Sequence, residues 1–342
     1  MARKRISLAL QGGGAHGAFT WGVLDRLIAD DRLEIAAMSG TSAGALNGAA
    51  VKAGLRRNGV DGALDNLAWF WSQVGALEDR GLDAWLGAVS PAAISQLIEA
   101  SLPFAVSDAI SRVISPYDNP IYSNPLRSIV ERFQYQDVCA DTGPELTVCA
   151  TNVRTGKIRT FSGDEITPEA LMASACLPTL FQAIEMPCPD SGQAEAYWDG
   201  GYTGNPALYP LFKSELPDDL VVININPLYR EELPKTARAI QNRINEISFN
   251  SSLLRELRAI EFVQRLLDDG RVPKGAMKRI NVHMIADDAL MAQLSVATKT
   301  TPNPAVLHQL RVAGHDAADA FLNAHFETIG KASSVDLPAM FA

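Results

Sequence analysis

Ser42 has the residue type and the neighbours of a nucleophile. Residues 40–44 read Gly-Thr-Ser-Ala-Gly and match the pattern G-x-S-x-G, in which a serine occupies a strained turn between a strand and a helix. The apolar residues 33–38 predict the strand before this motif, and the small residues 45–53 predict the helix after it. The helix N-terminus would also favour negative charge that develops beside Ser42. The sequence therefore predicts Ser42 as the nucleophile of a covalent reaction.

A glycine-rich loop follows the first predicted strand, residues 5–10. Residues 12–17 read Gly-Gly-Gly-Ala-His-Gly, and the backbone N–H groups of such a run can converge on one oxygen. The sequence thus predicts an oxyanion hole formed by Gly12, Gly13, Gly14, Ala15 and His16. The same run satisfies the dinucleotide fingerprint G-x-G-x-x-G, which needs an acidic residue near the end of the second strand. That strand ends in Met-Ser-Gly with Glu34 at its beginning, so a nucleotide-dependent oxidoreductase is the disfavoured alternative.

The base that activates Ser42 is less apparent from the residues alone. Asp199 ends a short predicted strand and precedes two glycines, which permit a sharp turn and the close approach of another backbone. Its carboxylate could accept the serine proton directly. The same residues would also fit an ordinary Asp-Gly turn without a catalytic role. None of the five histidines stands in a recognisable motif. His283 is predicted to be buried within a strand, and His16 could assist an oxyanion.

Four segments in this order resemble the motif set of the patatin-like phospholipases: the glycine-rich loop, residues 40–44, residues 173–181 and residues 199–201. The resemblance implies a Ser-Asp dyad without a catalytic histidine, in which Ser42 is the nucleophile and Asp199 activates first the serine and then water. It implies that Gly13 and Gly14 donate to the oxyanion, and it implies neither a metal nor a cofactor. Supporting positions are Gly40, Gly44, Pro178, Gly200 and Gly201.

The sequence departs from the family pattern at His16, where many members carry Arg or Lys. A permanent positive charge would thereby be replaced by one that titrates near neutrality. The C-terminal stretch, with residues 298–300 and 307–322, is similar to an extension found in a bacterial subgroup of the family.

Alternation of short apolar strands with helical segments predicts an α/β fold with a mostly parallel sheet and helices on both faces, in three α/β/α layers. The predicted strands are residues 5–10, 33–38, 146–150, 158–161, 196–198, 220–226 and 280–285. Residues 1–290 are expected to form the hydrolase domain, with an apolar helical insertion or cap at residues 69–132. Residues 291–342 are expected to be a C-terminal helical extension packed on the same domain, and residues 236–269 a long helix.

Composition limits the partners of the protein. The net charge of −9 and the pI near 5.1 argue against nucleic-acid binding. No apolar run is long enough to span a bilayer, and the four cysteines form no C-x-x-C pair. We therefore expect reduced thiols and a cytoplasmic location, with peripheral contact to a membrane as a further expectation. The oligomeric state cannot be read from the sequence.

The residues and the resemblance together predict a serine acyl hydrolase that cleaves carboxylic esters of lipids, of the phospholipase A or lysophospholipase type. The same chemistry would serve a bacterial intracellular polyester (polyhydroxyalkanoate) depolymerase or a general esterase. A catalytically weak lipid-binding or regulatory module is the alternative from another class. The apolar residues 85–114 suggest an acyl-chain site, with packing against the core as the other interpretation.

Overall fold

A computed structural model describes residues 3–76, 90–102, 104, 106, 115–118, 122–187, 192–273 and 275–342. The described strands are β1 (Lys4–Leu10), β2 (Leu33–Thr41), β3 (Glu145–Asn152), β4 (Ile158–Ser162), β5 (Ile184–Pro187), β6 (Ala194–Asp199), β7 (Asp219–Asn224) and β8 (Asn281–Ala286). The described α-helices are α1 (Gly17–Ile28), α2 (Ala43–Val74), α3 (Pro91–Ala100), α4 (Arg127–Val130), α5 (Tyr135–Val138), α6 (Pro168–Ser174), α7 (Ala237–Asp268), α8 (Asp288–Met291), α9 (Val296–Thr300), α10 (Pro304–His325) and α11 (Leu337–Met340). Short 3₁₀ turns occupy Gly14–His16, Pro116–Asp118, Gly163–Glu165, Gly200–Tyr202, Tyr209–Phe212 and Phe326–Thr328.

The strands form one sheet in the order β5-β6-β3-β2-β1-β7-β8, and β4 also pairs with β3. Strands β1, β2, β3, β7 and β8 run parallel to one another. Strands β4 and β6 pair antiparallel with β3, and β5 pairs antiparallel with β6. The predicted mostly parallel sheet is confirmed. All seven predicted strands are present, six of them within two residues of their expected bounds; β2 extends three residues beyond its predicted end, and β5 was not predicted.

Alternate residues of the central strands face two separate parts of the core. Leu8 and Leu10 of β1 belong to a cluster that includes residues of α1, α2 and α10, whereas Ala9 belongs to a cluster with residues of α7. In β7, Val221 and Ile223 belong to the first cluster, and Leu220 and Val222 belong to the second. Each residue of β7 is buried. Because successive side chains of a strand point to opposite faces, helices cover both sides of the sheet. This arrangement is the predicted three-layer fold.

The predicted cap is only partly within the described residues. Residues 77–89 and 107–114, which include Trp85, Leu86 and Ile110, lie outside them. Helix α3 begins at a Ser90 cap and buries Ile94, while Leu97 and Leu102 are 69% and 76% exposed. The role of this segment as a cap therefore stays a prediction. Within the described chain, no helix combines the length and apolar character needed to cross a membrane.

The C-terminal helix α10 packs closely against α1. Arg311 pairs with Asp25 at 2.8 Å, and Arg26 pairs with Asp319 at 2.9 Å. Between these ion pairs Gly314 is buried so closely against the Phe19 carbonyl that a Cβ atom there would collide with the backbone of α1. The extension thus shares a tight helix interface with the first α/β unit, although the division of the chain at residue 290 stays a prediction.

We expect Gly314→Val to lower the free energy of unfolding by about 3 kcal/mol, because overpacking a close helix contact forces the backbones apart. Ala320→Val provides the matched control, since Ala320 lies on the exposed side of the same helix and should lose only about 0.5 to 1 kcal/mol through helix propensity. Urea unfolding of both variants measures the difference. Equal losses would contradict close packing at Gly314.

Candidate active site

The register of the sheet brings Ser42 and Asp199 together. Thr41 at the end of β2 pairs with Cys149 of β3, and Asp199 at the end of β6 pairs with the next residue, Ala150. Strand β4 pairs with residues 147–151 along the opposite edge of β3. Strands β2 and β6 therefore meet end to end along one edge of β3. The residue after Thr41 is necessarily a neighbour of Asp199.

Ser42 has a strained backbone that is held by specific contacts. Its φ of 54° and ψ of −124° lie in a region that side chains disfavour, and among the described non-glycine residues it alone has a positive φ. The Ser42 N–H donates to Ser174 Oγ at 2.8 Å, and the Ser174 hydroxyl donates to the Cys149 carbonyl at 2.6 Å. Helix α2 begins at the next residue. Strain of this kind concentrates at functional sites, as expected for a nucleophile.

Small residues allow the glycine-rich loop and the Ser42 turn to touch. A Cβ atom on Gly12 would lie 2.7 Å from Ser42 Cβ, and one on Gly44 would collide with the Leu10 carbonyl. Gly40 lies equally close to the backbone of the first turn of α2. These contacts place Gly40 and Gly44 at the Ser42 turn, and their supporting role stays a prediction. Pro178, the supporting residue of another segment, lies in the turn between α6 and β5.

Asp199 is buried beside Ser42 and has few hydrogen-bond donors. Its Oδ1 accepts the Gly201 N–H at 2.7 Å, and its own N–H donates to the Cys176 carbonyl at 2.8 Å. Burial raises the pKa of the carboxyl to about 7, although hydrogen bonds from the Gly201 backbone and the Ser42 side chain lower it. Gly200 leaves no room for a side chain against the Cys149 carbonyl. A carboxylate with a pKa near neutrality can act as a general base.

The glycine-rich loop is fixed by side-chain amides. The Gly12 N–H donates to Asn205 Oδ1 at 2.7 Å, and Asn205 Nδ2 donates back to the Gly12 carbonyl at 3.3 Å. Asn226 Nδ2 donates to the same carbonyl at 3.0 Å, and Gln11 Oε1 accepts from the backbone N–H groups of Ile225 and Asn226. A buried polar network that is satisfied in this way holds the loop rigidly.

The network narrows the predicted set of oxyanion donors. The Gly12 N–H is taken by Asn205, and the His16 N–H donates to the Gly13 carbonyl at 3.2 Å. Both amides therefore have acceptors in the described structure, and the oxyanion role of Gly12 and His16 stays a prediction. The described residues provide no acceptor for the amides of Gly13, Gly14 and Ala15. Those three remain the candidate donors.

The His16 side chain also differs from its prediction. The ring is buried, and its Nε2 lies 2.8 Å from Thr298 Oγ1. Burial, and then the nearby positive charge of Lys299, hold the pKa of His16 well below its usual value. The expected charge that titrates near neutrality is thus absent, because the imidazole is neutral over the physiological range.

Outside this site, Ser334 contacts a histidine, His283. His283 on β8 lies 3.0 Å from both Asp219 Oδ1 and Ser334 Oγ, which resembles a Ser-His-Asp arrangement. However, Ser334 lacks the strained turn of Ser42, and its N–H donates to the Val282 carbonyl. Two strands separate β8 from β2 in the sheet. This group therefore fastens the C-terminal segment to β8, in agreement with the prediction of a buried structural histidine.

A family model described as patatin-like phospholipase matches residues 8–212, a span that contains Ser42, Asp199 and the glycine-rich loop. No curated protein matches the chain significantly. Among solved structures, VipD from Legionella pneumophila is 14% identical with a TM-score of 0.39, and the match covers 95% of this chain and 67% of that one.

The type III effector ExoU is 15% identical with a TM-score of 0.36, over 93% of this chain and 53% of that one. The ExoU–SpcU complex of the Pseudomonas aeruginosa type III secretion system is 14% identical with a TM-score of 0.34, and the match covers 95% of this chain and 53% of that one. The match thus covers only about half of the length of these two chains.

The buried carboxyl of Asp199 should destabilise the folded protein at alkaline pH. Folding raises its pKa to about 7. The free-energy cost of burying the ionised carboxylate is therefore absent in acid, where the group is protonated in both states. This cost grows between the unfolded and the folded pKa and is complete above about pH 7. We expect Asp199→Asn to be more stable than wild type at pH 9, by on the order of 4 kcal/mol at about 1.4 kcal/mol per pKa unit. The two proteins should converge near pH 4. If Asp199→Asn were less stable than wild type at every pH, Asp199 would not be a buried carboxyl with a raised pKa.

Proposed function

The chain belongs to the patatin-like phospholipase family, a family of lipid ester hydrolases, and we propose that it acts through a Ser42–Asp199 dyad and an acyl-enzyme intermediate. The observation that carries this proposal is the strained Ser42 beside a buried carboxyl whose pKa is raised to about 7. A carboxylate with its ordinary pKa would be too weak a base for a serine hydroxyl. Burial supplies the missing basicity.

In the first half-reaction the Asp199 carboxylate takes the proton of Ser42 Oγ as this oxygen attacks the ester carbonyl carbon. The carbonyl oxygen becomes negatively charged and accepts hydrogen bonds from the amides of Gly13, Gly14 and Ala15. When the tetrahedral intermediate collapses, the bond to the alcohol oxygen breaks, and Asp199 returns its proton to the departing alcohol. Ser42 then carries the acyl group.

In the second half-reaction Asp199 takes a proton from water, and the hydroxide oxygen attacks the acyl carbon. The same amides hold the second oxyanion. Collapse breaks the bond to Ser42 Oγ, which regains its proton from Asp199, and the carboxylic acid leaves. The N-terminus of α2 directly behind Ser42 adds a fixed positive dipole at the reaction centre.

The acyl chain of the substrate has a candidate place beside the dyad. A cavity of about 610 Å³ is lined largely by apolar side chains of α3 and by Phe104, Leu180 and Thr300. Leu180 closely follows Cys176, whose carbonyl binds the Asp199 N–H, and Thr300 follows Lys299, whose carbonyl contacts Gly14. Two lining residues of the cavity thus lie within four positions along the chain of residues that contact the site. We therefore propose a lipid with a long acyl chain as substrate.

The proposed dyad predicts a specific pH profile. For a p-nitrophenyl butyrate substrate, kcat/KM should fall about tenfold per pH unit below about 7, as Asp199 becomes protonated. Ser42→Ala and Asp199→Asn should each lose at least about a thousandfold in kcat. Ser334→Ala is the control, and it should retain wild-type activity within about twofold. Loss of activity in Ser334→Ala, with retention in Ser42→Ala, would overturn the proposal.

The proposed acyl site predicts chain-length selectivity. Leu97→Glu places a charge in the cavity at a position that is already 69% exposed in the fold. We expect kcat/KM for a dodecanoyl ester to fall on the order of tenfold, with the butanoyl ester changed by less than about twofold. Val312→Glu is the matched control, because Val312 is 46% exposed on α10 and lies outside the cavity. Equal losses on both esters would count against this site.

A further inference from the structure

Helix α9, which lies beyond the family match, contacts the glycine-rich loop directly at two points and a third time through Asn226. Thr298 Oγ1 lies 2.8 Å from His16 Nε2, and the Lys299 carbonyl touches Gly14 where a Cβ atom would collide. Lys299 Nζ donates to Asn226 Oδ1 at 2.7 Å, and Asn226 in turn holds the Gly12 carbonyl. One short helix therefore supports the loop that is proposed to bind the oxyanion.

Lys299 is half-buried, and its ammonium has no ion pair in the described part of the chain. Its hydrogen-bond acceptor is the neutral amide of Asn226, and its Nζ lies 6.0 Å from the centre of the Phe249 ring. The carboxylate of Glu246 raises the pKa of Lys299 through its negative charge. This carboxylate is already paired with Arg230 at 2.8 Å and with Arg243 at 3.2 Å. Withdrawing a cation from water without an ion pair is costly, so a compensating role is expected.

We propose that Lys299 is a positioning residue for ester hydrolysis: through Asn226 it holds residues 12–14 in place, and its charge stabilises the oxyanion that forms there. The inference rests on the proposed function of Ser42 and Asp199. It assigns to the C-terminal extension a direct part in the site. Because His16 is neutral, Lys299 supplies the positive charge that the loop itself lacks.

The charge of Lys299 depends on pH in the working range. Burial lowers its pKa to about 8, Glu246 acts to raise it and Arg230 to lower it. The other titratable group that faces it, His16, stays uncharged because its own pKa is low. The ammonium is therefore present below about pH 8 and lost above it. Together with the Asp199 base, this gives wild type a narrow bell-shaped profile with its maximum between about 7 and 8.

The test compares kcat, KM and their pH dependence on a p-nitrophenyl butyrate substrate for wild type, Lys299→Met and Lys299→Arg. In Lys299→Met we expect kcat to fall about 10- to 100-fold, KM to change by less than about threefold and the alkaline limb to disappear. Lys299→Arg, which keeps its charge at every pH used, should recover most of kcat and shift the alkaline limb above about pH 9.

Lys52→Met is the matched control, because Lys52 is also a lysine with a lowered pKa but lies in α2 away from the loop. Its profile should equal that of wild type. An alkaline limb that is unchanged in Lys299→Arg overturns the inference, even if Lys299→Met fails to fold. Wild type that is inactive, or unaffected by Ser42→Ala, overturns the proposed function and the inference with it.

Discussion

The disfavoured backbone conformation of Ser42 is the constraint on which the rest of the site depends. A positive φ at a residue with a side chain persists only where its surroundings impose it. Here Ser174 binds the Ser42 N–H and the Cys149 carbonyl at once, and glycines let the Gly12 loop press against the turn. The strands, the helix behind the serine and the loop in front of it are therefore fixed relative to one another by one tight turn.

The sequence predicts the strands of the sheet and singles out Ser42 and Asp199, because both kinds of signal are local in the chain. Apolar runs give the strands, and residues 40–44 and 199–201 carry their own turn signals. The charge state of His16 was not predictable in this way, since it is set by burial and then by Lys299, more than 280 positions along the chain. Asn205 was missed as a positioning residue, and Ser174 was included only within the segment 173–181, because nothing near a serine or an asparagine in the sequence indicates which distant backbone it will bind.

A continuous buried network joins the oxyanion loop to three distant segments. Gln11 and Gly12 meet Asn226 after β7, Asn205 after β6 and, through Asn226, Lys299 of α9. A half-satisfied network would be costly, so each segment needs the others to be in place. The loop is therefore expected to be preorganised before substrate binds, which is the condition under which backbone amides stabilise an oxyanion most effectively.

The most direct test of the central claim is the rate at which a fluorophosphonate labels the protein between pH 5 and pH 9, with the adduct located by peptide mass spectrometry. The dyad predicts one adduct, on Ser42, with a rate that rises as the pH passes through about 7 and is lost in Asp199→Asn. An adduct on Ser334, or labelling of Ser42 that is indifferent to Asp199→Asn, would contradict the dyad.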